Sequence, residues 1–283
     1  MIKIISDSTC DLTKELLEKY DISILPLHIH LGEEEYQDGV TITPDEIYTW
    51  ADANNATPKT SAASMAEAMD LFQPYLEKGD EIITFSISSG MSANNNVMRL
   101  AAEELEAEDR IHVIDSANLS TGIGLLVLEA AEMAKEGKTA KEIVDAIEAL
   151  KPLVRSSFVV DTLTYLHRGG RCNSVAALAG SVLKLHPKIV VENGAMSANK
   201  KFRGKISSVI MSYVKEMEED LKKAKKDRVF ITHSGCDEEI LNNVRTYLES
   251  LERFDEILIA RAGSVISSHC GPGTLGVLYI EGK

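Results

Sequence analysis

Short apolar runs alternate with amphipathic segments that begin on their own capping signals, and this alternation leaves few folds open to the chain. Thr43-Pro44-Asp45-Glu46, Ser64-Met65-Ala66-Glu67 and Thr139-Ala140-Lys141-Glu142 each set a hydroxyl three residues ahead of a Glu. That spacing lets the hydroxyl and the carboxylate satisfy each other's free backbone N–H groups at a helix start. Pro44 suits the first helical position. Further helices are predicted over residues 11–20, 92–106 and 121–136. Residues 2–5, 81–86 and 111–114 read as strands, and 22–31 as extended. Strands separated by helices pair in parallel, so the sequence predicts an α/β lobe whose mostly parallel sheet is flanked by helices.

The pattern restarts near Lys151-Pro152. A chain of 283 residues suits two lobes of ordinary size, expected at 1–152 and 153–283. The second reads as strand 156–160, helix 174–185 stopped by His186-Pro187, and a hairpin turning on Asn193-Gly194. Helix 206–225, strand 228–232, helix 238–251 and strands 256–260 and 276–280 follow. A ligand is expected between the two lobes.

Net charge is −14 with a pI near 5.0. Nucleic acid and anionic membrane surfaces are therefore unsuitable partners, since both require local excess of Lys and Arg. Cys10, Cys172, Cys236 and Cys270 are scattered, which fits neither a disulfide framework nor a zinc site and suits a reducing cytoplasm. The N-terminus reads as a strand and not as a signal peptide. The most apolar stretch, 123–134, carries Glu129 and Glu132 and is too short to be an integral membrane segment.

Several familiar patterns fail in context. Gly271-Pro272-Gly273-Thr274-Leu275-Gly276 matches a dinucleotide fingerprint by letter but opens no helix to hold a pyrophosphate. Gly137-Lys138-Thr139 has Glu132 where a phosphate loop needs its first glycine. His28 and His30 lack partners at metal-ligand spacing. No metal, cofactor or catalytic acid–base pair is expected.

Two hydroxyl-rich segments share one chemistry. Pro58-Lys59-Thr60-Ser61-Ala62-Ala63-Ser64 and Ser86-Ile87-Ser88-Ser89-Gly90-Met91-Ser92 each lie before or at a predicted helix start. Helix N-termini present free N–H groups and partial positive charge, and Ser and Thr add donors that turn toward an anion. Thr60, Ser61, Ser89, Gly90 and Ser92 are thus candidates for an anion site, although each hydroxyl reads equally well as a helix cap. Ser64 is explained as a cap alone. In the second half, His269-Cys270-Gly271-Pro272-Gly273 reads as a tight loop exposing an imidazole, and Gly169-Gly170-Arg171 as a turn.

Taken in order, Ser6-Asp7-Ser8-Thr9-Cys10-Asp11, Asp38-Gly39, Lys59-Thr60-Ser61, Ser88-Ser89-Gly90-Met91-Ser92, Asp115-Ser116, Arg168-Gly169-Gly170-Arg171, Leu183-Lys184-Leu185-His186-Pro187 and His269-Cys270-Gly271-Pro272-Gly273 resemble the DegV family from the first strand to the last. The resemblance implies a two-lobe protein that encloses one long-chain fatty acid and performs no chemistry of its own. It assigns the carboxylate to Thr60 and Ser92, places His269 beside it, and puts Arg171 at the rim. It further implies the acyl-carrying subunit of a bacterial fatty acid kinase, in which a separate ATP-using protein phosphorylates the presented carboxylate. Ala62-Ala63 and Ala93-Asn94 depart from the family's usual Gln-Pro and Gly-Thr. A lipid-sensing regulator and an enzyme acting on a small anionic substrate at the same site remain alternatives.

Overall fold

The computed structural model describes residues 1–171 and 185–282. Strands β1 (Ile2–Asp7), β2 (Ser23–Leu25), β3 (His28–Leu31), β4 (Glu34–Gln37), β5 (Lys59–Ser61), β6 (Glu81–Ser86) and β7 (Ile111–Asp115) all lie in the first half. They form two sheets. The larger runs β2-β1-β6-β7 with every pairing parallel, and the smaller runs β4-β3-β5 with every pairing antiparallel. Pro26 ends the ladder of β2, so the segment expected as one extended run splits between the sheets.

Helices α1 (Lys14–Tyr20), α2 (Pro44–Asn54), α3 (Met65–Glu77) and α4 (Asn94–Glu104) join these strands. Thr43 and Ser64 close the capping boxes that the spacing predicts. Helix α5 (Thr121–Lys135) follows, then α6 (Ala140–Leu150), capped by Thr139. Residues 121–131 of α5 are all buried. The helix packs on β1 and β6 and also on β8 (Val154–Val159) and β13 (Leu275–Glu281). An all-round apolar helix is a core helix, and this one is the seam between the halves.

The second half starts from β8 and α7 (Thr164–Gly169). The helix expected over 174–185 lies outside the described residues apart from Leu185, which opens β9 (Leu185–Glu192). Strand β10 (Ala195–Arg203) returns from β9 through Asn193 and Gly194, both at positive φ as a tight hairpin requires. Next come α8 (Ile206–Glu216), α9 (Glu218–Leu221), β11 (Ala224–His233), α10 (Glu238–Ser250), β12 (Glu256–Arg261) and α11 (Ser264–Cys270). The sheet order is β10-β9-β8-β13-β11-β12, antiparallel except for β11 with β12.

The single helix expected over 206–225 is broken at Met217, and Ala224 already belongs to β11. Ala224 is fully buried and pairs with Glu281, so sheet pairing overrides the helical preference of the charged residues around it. One hydrophobic cluster crosses the seam and holds Phe85, Leu125, Phe158 and Leu278 together. No described helix is long and apolar enough to cross a membrane.

Candidate functional site

Thr60 and His269 meet across the seam. Thr60 sits on β5, opposite Ile29, and its Oγ1 lies 2.8 Å from His269 Nε2. His269 occupies the last turn of α11, so it is not in the loop that its glycine neighbours suggest. Thr60 stands on a strand, in the segment that leads to the Ser64 cap of α3 as expected. Three residues of β5 are too short a run to show a period in the sequence.

Helix α11 has no cap of its own. Its first N–H groups go to carboxylates from the other half: Gly263 N donates to Asp11 Oδ1 at 2.8 Å and Ser264 N to Asp38 Oδ1 at 2.7 Å. Ser120 Oγ also donates to Asp11. Buried negative charge at a helix N-terminus is favourable, and here it fixes where His269 points. Burial, followed by their mutual repulsion, pushes the Asp11 carboxyl well above its usual range; burial also raises Asp38. The sequence gives neither acid a capping role, because the helix they cap lies more than 220 residues away.

Burial lowers the pKa of His269 to about 4, and the charge of Arg171 adds to the effect. The imidazole is therefore neutral at ordinary pH. Its Nδ1 is shielded from solvent and has no hydrogen-bond partner among the described residues. Gly169 lies against it, so closely that a Cβ there would stand 2.3 Å from Nδ1. Arg171 Nη1 donates to Gly169 O at 2.7 Å, leaving an exposed guanidinium at the cavity rim.

The second hydroxyl segment lies in the turn after β6. Ser92 faces the same cavity as Thr60, and its Oγ accepts from Asn94 N at 3.2 Å. Ser61 also lines the cavity, with its Oγ 2.9 Å from His30 Nε2. Ser89 and Gly90 correct the sequence reading, since neither lines the cavity. Ser89 is exposed, and its Oγ donates to Asp115 Oδ2 at 2.5 Å. Gly90 is spent on close approach to a neighbouring turn, with Gly194 O 2.8 Å from where its Cβ would be.

Asn94, one of the departures from the family pattern, ties the two segments together. It is fully buried; its Oδ1 accepts from Ala63 N at 3.2 Å and its Nδ2 donates to Asp7 Oδ2 at 3.0 Å. Asp7 Oδ2 also accepts from Ile87 N at 2.8 Å, and burial raises this carboxyl to about 6. One buried Asn and one buried Asp thus hold Thr60's segment beside Ser92's.

The cavity between these groups measures about 240 Å³. Its polar end holds Thr60, Ser61, Ser92, His269 and Arg171. The rest is apolar, with Leu27, Ile87, Met91, Leu119, Met196 and Ile266 among its walls. Leu119, Ile266 and Cys270 also line a narrow extension of about 20 Å³ that ends against Phe158, Gly276 and Leu278. The hydroxyls at that end already have partners within the protein: Ser120 bonds Asp11, Thr232 Oγ1 meets Thr121 Oγ1 at 2.5 Å, Ser234 bonds Gly271 O and Thr274 bonds Cys270 O. Among the described residues the extension therefore offers no free hydroxyl between its apolar walls. Cys10 and Cys236 are free thiols, and no group of side chains among the described residues is arranged to hold a metal.

A family model described as uncharacterised proteins of the DegV family matches residues 1–282. A DegV domain-containing protein of Clostridium perfringens is 33% identical over 280 residues, covering 99% of this chain and 98% of the relative. One from Caldanaerobacter subterraneus is 33% identical over 282 residues, covering 99% of each. Among solved structures, a DegV family protein of Thermus thermophilus, described for its fatty acid binding, superposes with TM-score 0.91 at 30% identity over 99% of both chains. A stearic-acid-binding protein from Eubacterium ventriosum gives TM-score 0.86 at 32% identity, covering 99% of this chain and 98% of that one.

Proposed function

The chain belongs to the DegV family, and from that premise we propose that it binds one long-chain fatty acid and presents the carboxylate to a separate ATP-dependent kinase. The observation that carries the proposal is the uneven polarity of the cleft: Thr60, Ser61, Ser92 and His269 line a cavity whose other walls include Leu27, Ile87, Met91, Leu119, Met196 and Ile266. A fatty acid has that same distribution of polarity. The solved relatives described as fatty-acid-binding proteins support the reading.

The tail supplies the affinity. About fifteen methylenes at roughly 0.8 kcal/mol each give on the order of 12 kcal/mol before the costs of association and chain ordering. The head group sets orientation, because a carboxylate left bare among apolar walls is costly. His269 is neutral, and among the described residues its Nδ1 has no hydrogen-bond partner and lies against Gly169. A bare ring nitrogen there costs less than an N–H lacking an acceptor, so the ring proton belongs on Nε2, donated to Thr60 Oγ1. The Thr60 hydroxyl hydrogen is then free to point at the ligand, as is that of Ser92.

In this role the protein is a carrier working in the cytoplasm. It contributes no reacting group: the kinase moves the terminal phosphoryl of ATP onto a carboxylate oxygen, releasing ADP and leaving an acyl phosphate in the cleft. Arg171, exposed at the rim, is the cation on the side from which phosphate approaches. Denaturing extraction and mass spectrometry of the purified protein test the binding step, with stoichiometric fatty acid expected. A protein that is empty and takes up no added fatty acid would overturn it. Incubation of the loaded protein with a fatty acid kinase and ATP tests presentation, with acyl phosphate as the expected product.

A further inference from the structure

Thr60 and Ser61 each stand against an imidazole. Thr60 Oγ1 is 2.8 Å from His269 Nε2, and Ser61 Oγ is 2.9 Å from His30 Nε2. The two histidines lie on opposite sides of β5, because successive side chains of a strand point to opposite faces. Thr60 turns inward to buried α11, and Ser61 turns to the exposed outer face of the three-stranded sheet. Strand β5 is the edge of that sheet and pairs only with β3. The cavity follows the free edge, so Thr60, Ser61 and Ala62 all line it although they alternate in direction. A head group held at Thr60 is thus one residue, about 3.8 Å of chain, from the outer face.

The outer face divides its charges unevenly. Two rows cross the ladder there: Glu35, His30 and Lys59, then Gln37, His28 and Ser61. His28 takes both nearby carboxylates, with Glu35 Oε1 2.6 Å from Nδ1 and Glu67 Oε2 2.9 Å from Nε2. Glu67 also accepts from Gln37 Nε2 at 2.9 Å and from Ser64 N at the cap of α3. Among the described residues no carboxylate bonds Ser61, His30 or Lys59. The His30 ring bonds Ser61, and Lys59 is exposed without an ion pair.

We propose that Ser61, His30 and Lys59 form a phosphoryl subsite, which holds the phosphate of the acyl phosphate while Thr60, Ser92 and His269 keep the carbonyl end. This rests on the fatty-acid reading above. Phosphorylation extends the head group outward and takes its charge from about −1 to about −2. A protein of net charge −14 needs local donors for that second charge. The two imidazoles suit the two ends of the product. His269 is buried and neutral, so it orients Thr60 without adding charge. His30 is at the surface. When its Nε2 donates to Ser61 Oγ, the Ser61 hydroxyl hydrogen is left for a phosphoryl oxygen, and Lys59 beside it supplies positive charge.

The test is calorimetric titration of delipidated protein with palmitic acid and with the ketophosphonate analogue of palmitoyl phosphate, in which a methylene replaces the bridging oxygen and prevents hydrolysis. His30→Ala and Lys59→Ala are each expected to weaken phosphonate binding about ten-fold and to alter palmitic acid binding by about two-fold at most. His30→Gln, whose amide still donates to Ser61, is expected to lose less than His30→Ala. A residue that merely shapes the sheet would weaken both ligands alike, so equal losses would overturn the subsite. Phosphonate binding at the native level in both alanine variants would overturn it too. Native protein that binds palmitic acid and not the phosphonate would overturn the subsite and leave the fatty-acid reading standing. Native protein that binds neither would overturn that reading and the subsite with it.

Discussion

Thr60 Oγ1 and His269 Nε2 lie 2.8 Å apart although 209 residues separate them in the chain, and this contact closes the polar end of the cleft. It joins a three-stranded sheet of the first half to a short buried helix of the second. The polar end of the cleft therefore exists only when both halves are folded onto each other.

Thr60→Ala and Ser92→Ala each remove one hydroxyl donor from the head-group site. A hydrogen bond to a charged group contributes about 1.5–3 kcal/mol, so each variant should weaken fatty acid binding by roughly ten- to a hundred-fold. Thr60→Ala also leaves His269 Nε2 without its partner and should cost about 1–3 kcal/mol of stability, whereas Ser92→Ala should change thermal stability little. Calorimetric titration with palmitic acid beside thermal melts separates the two effects. A double variant that binds and is phosphorylated normally would remove both residues from the site.

Two perturbed groups near the site act on stability in opposite senses. His269 has a pKa of about 4 when folded against an ordinary 6.5, so the unfolded chain carries the extra proton between those values. Its contribution is complete above about pH 6.5 and is lost as pH falls toward 4. Asp7 is raised to about 6 from 3.8, so there the folded chain carries the extra proton, and the cost of burying the charge grows as pH rises through 6. Urea unfolding at about pH 5 and about pH 8 should therefore show His269→Asn relieving a loss on the acid side. Asp7→Asn should relieve one on the alkaline side.

Gly169→Ala would drive a methyl group into His269 Nδ1, 2.3 Å from the added carbon. Overpacking of this kind costs about 1–3 kcal/mol, partly offset by alanine's better helix propensity. The imidazole should turn away from Thr60. The expected signature is a shifted histidine resonance in NMR spectra together with weaker ligand binding, out of proportion to a small loss in melting temperature.

Asp38→Ala removes an acceptor for the first turn of α11, leaving Ser264 N buried without its partner. An unmet buried donor costs about 1–3 kcal/mol, and α11 carries His269, so stability and ligand affinity should fall together. Asp38→Asn keeps one acceptor and should recover most of the stability. Melting curves and titrations on both variants check this.

Phe158 closes the far end of the cleft. Phe158→Leu should lengthen the tail channel at a stability cost of about 1 kcal/mol, shifting the bound population toward longer chains. Mass spectrometry after incubation with an equimolar mixture of saturated fatty acids reads the change. An unaltered chain-length profile would place the end of the tail elsewhere.

Much of the framework is legible in the residues because its signals are local. Thr43, Ser64 and Thr139 find their Glu partners three residues on, and all form the caps that this spacing predicts. Asn193-Gly194 turns the hairpin because both residues tolerate positive φ. The hydroxyl segments point to an anion-binding surface, and the order of motifs to the family. Helix α11 shows none of this. Ser264-Val265-Ile266-Ser267-Ser268-His269-Cys270 is poor in helix formers, and its caps arrive from Asp11 and Asp38.

The sequence by itself determined the α/β class, the three helix starts with capping boxes and the hairpin, since each depends on neighbours within a few positions. Only the tertiary structure decided which hydroxyls face the cleft. Ser89 turns to Asp115 and Gly90 makes room for Gly194, while Ser92, two residues farther on, lines the cavity. The physical reason is that a hydroxyl takes whichever partner packing brings within reach. For this chain those partners are supplied by the buried anchors Asp7 and Asn94, by α11 and by the hairpin tip, all distant in sequence and joined only across the seam.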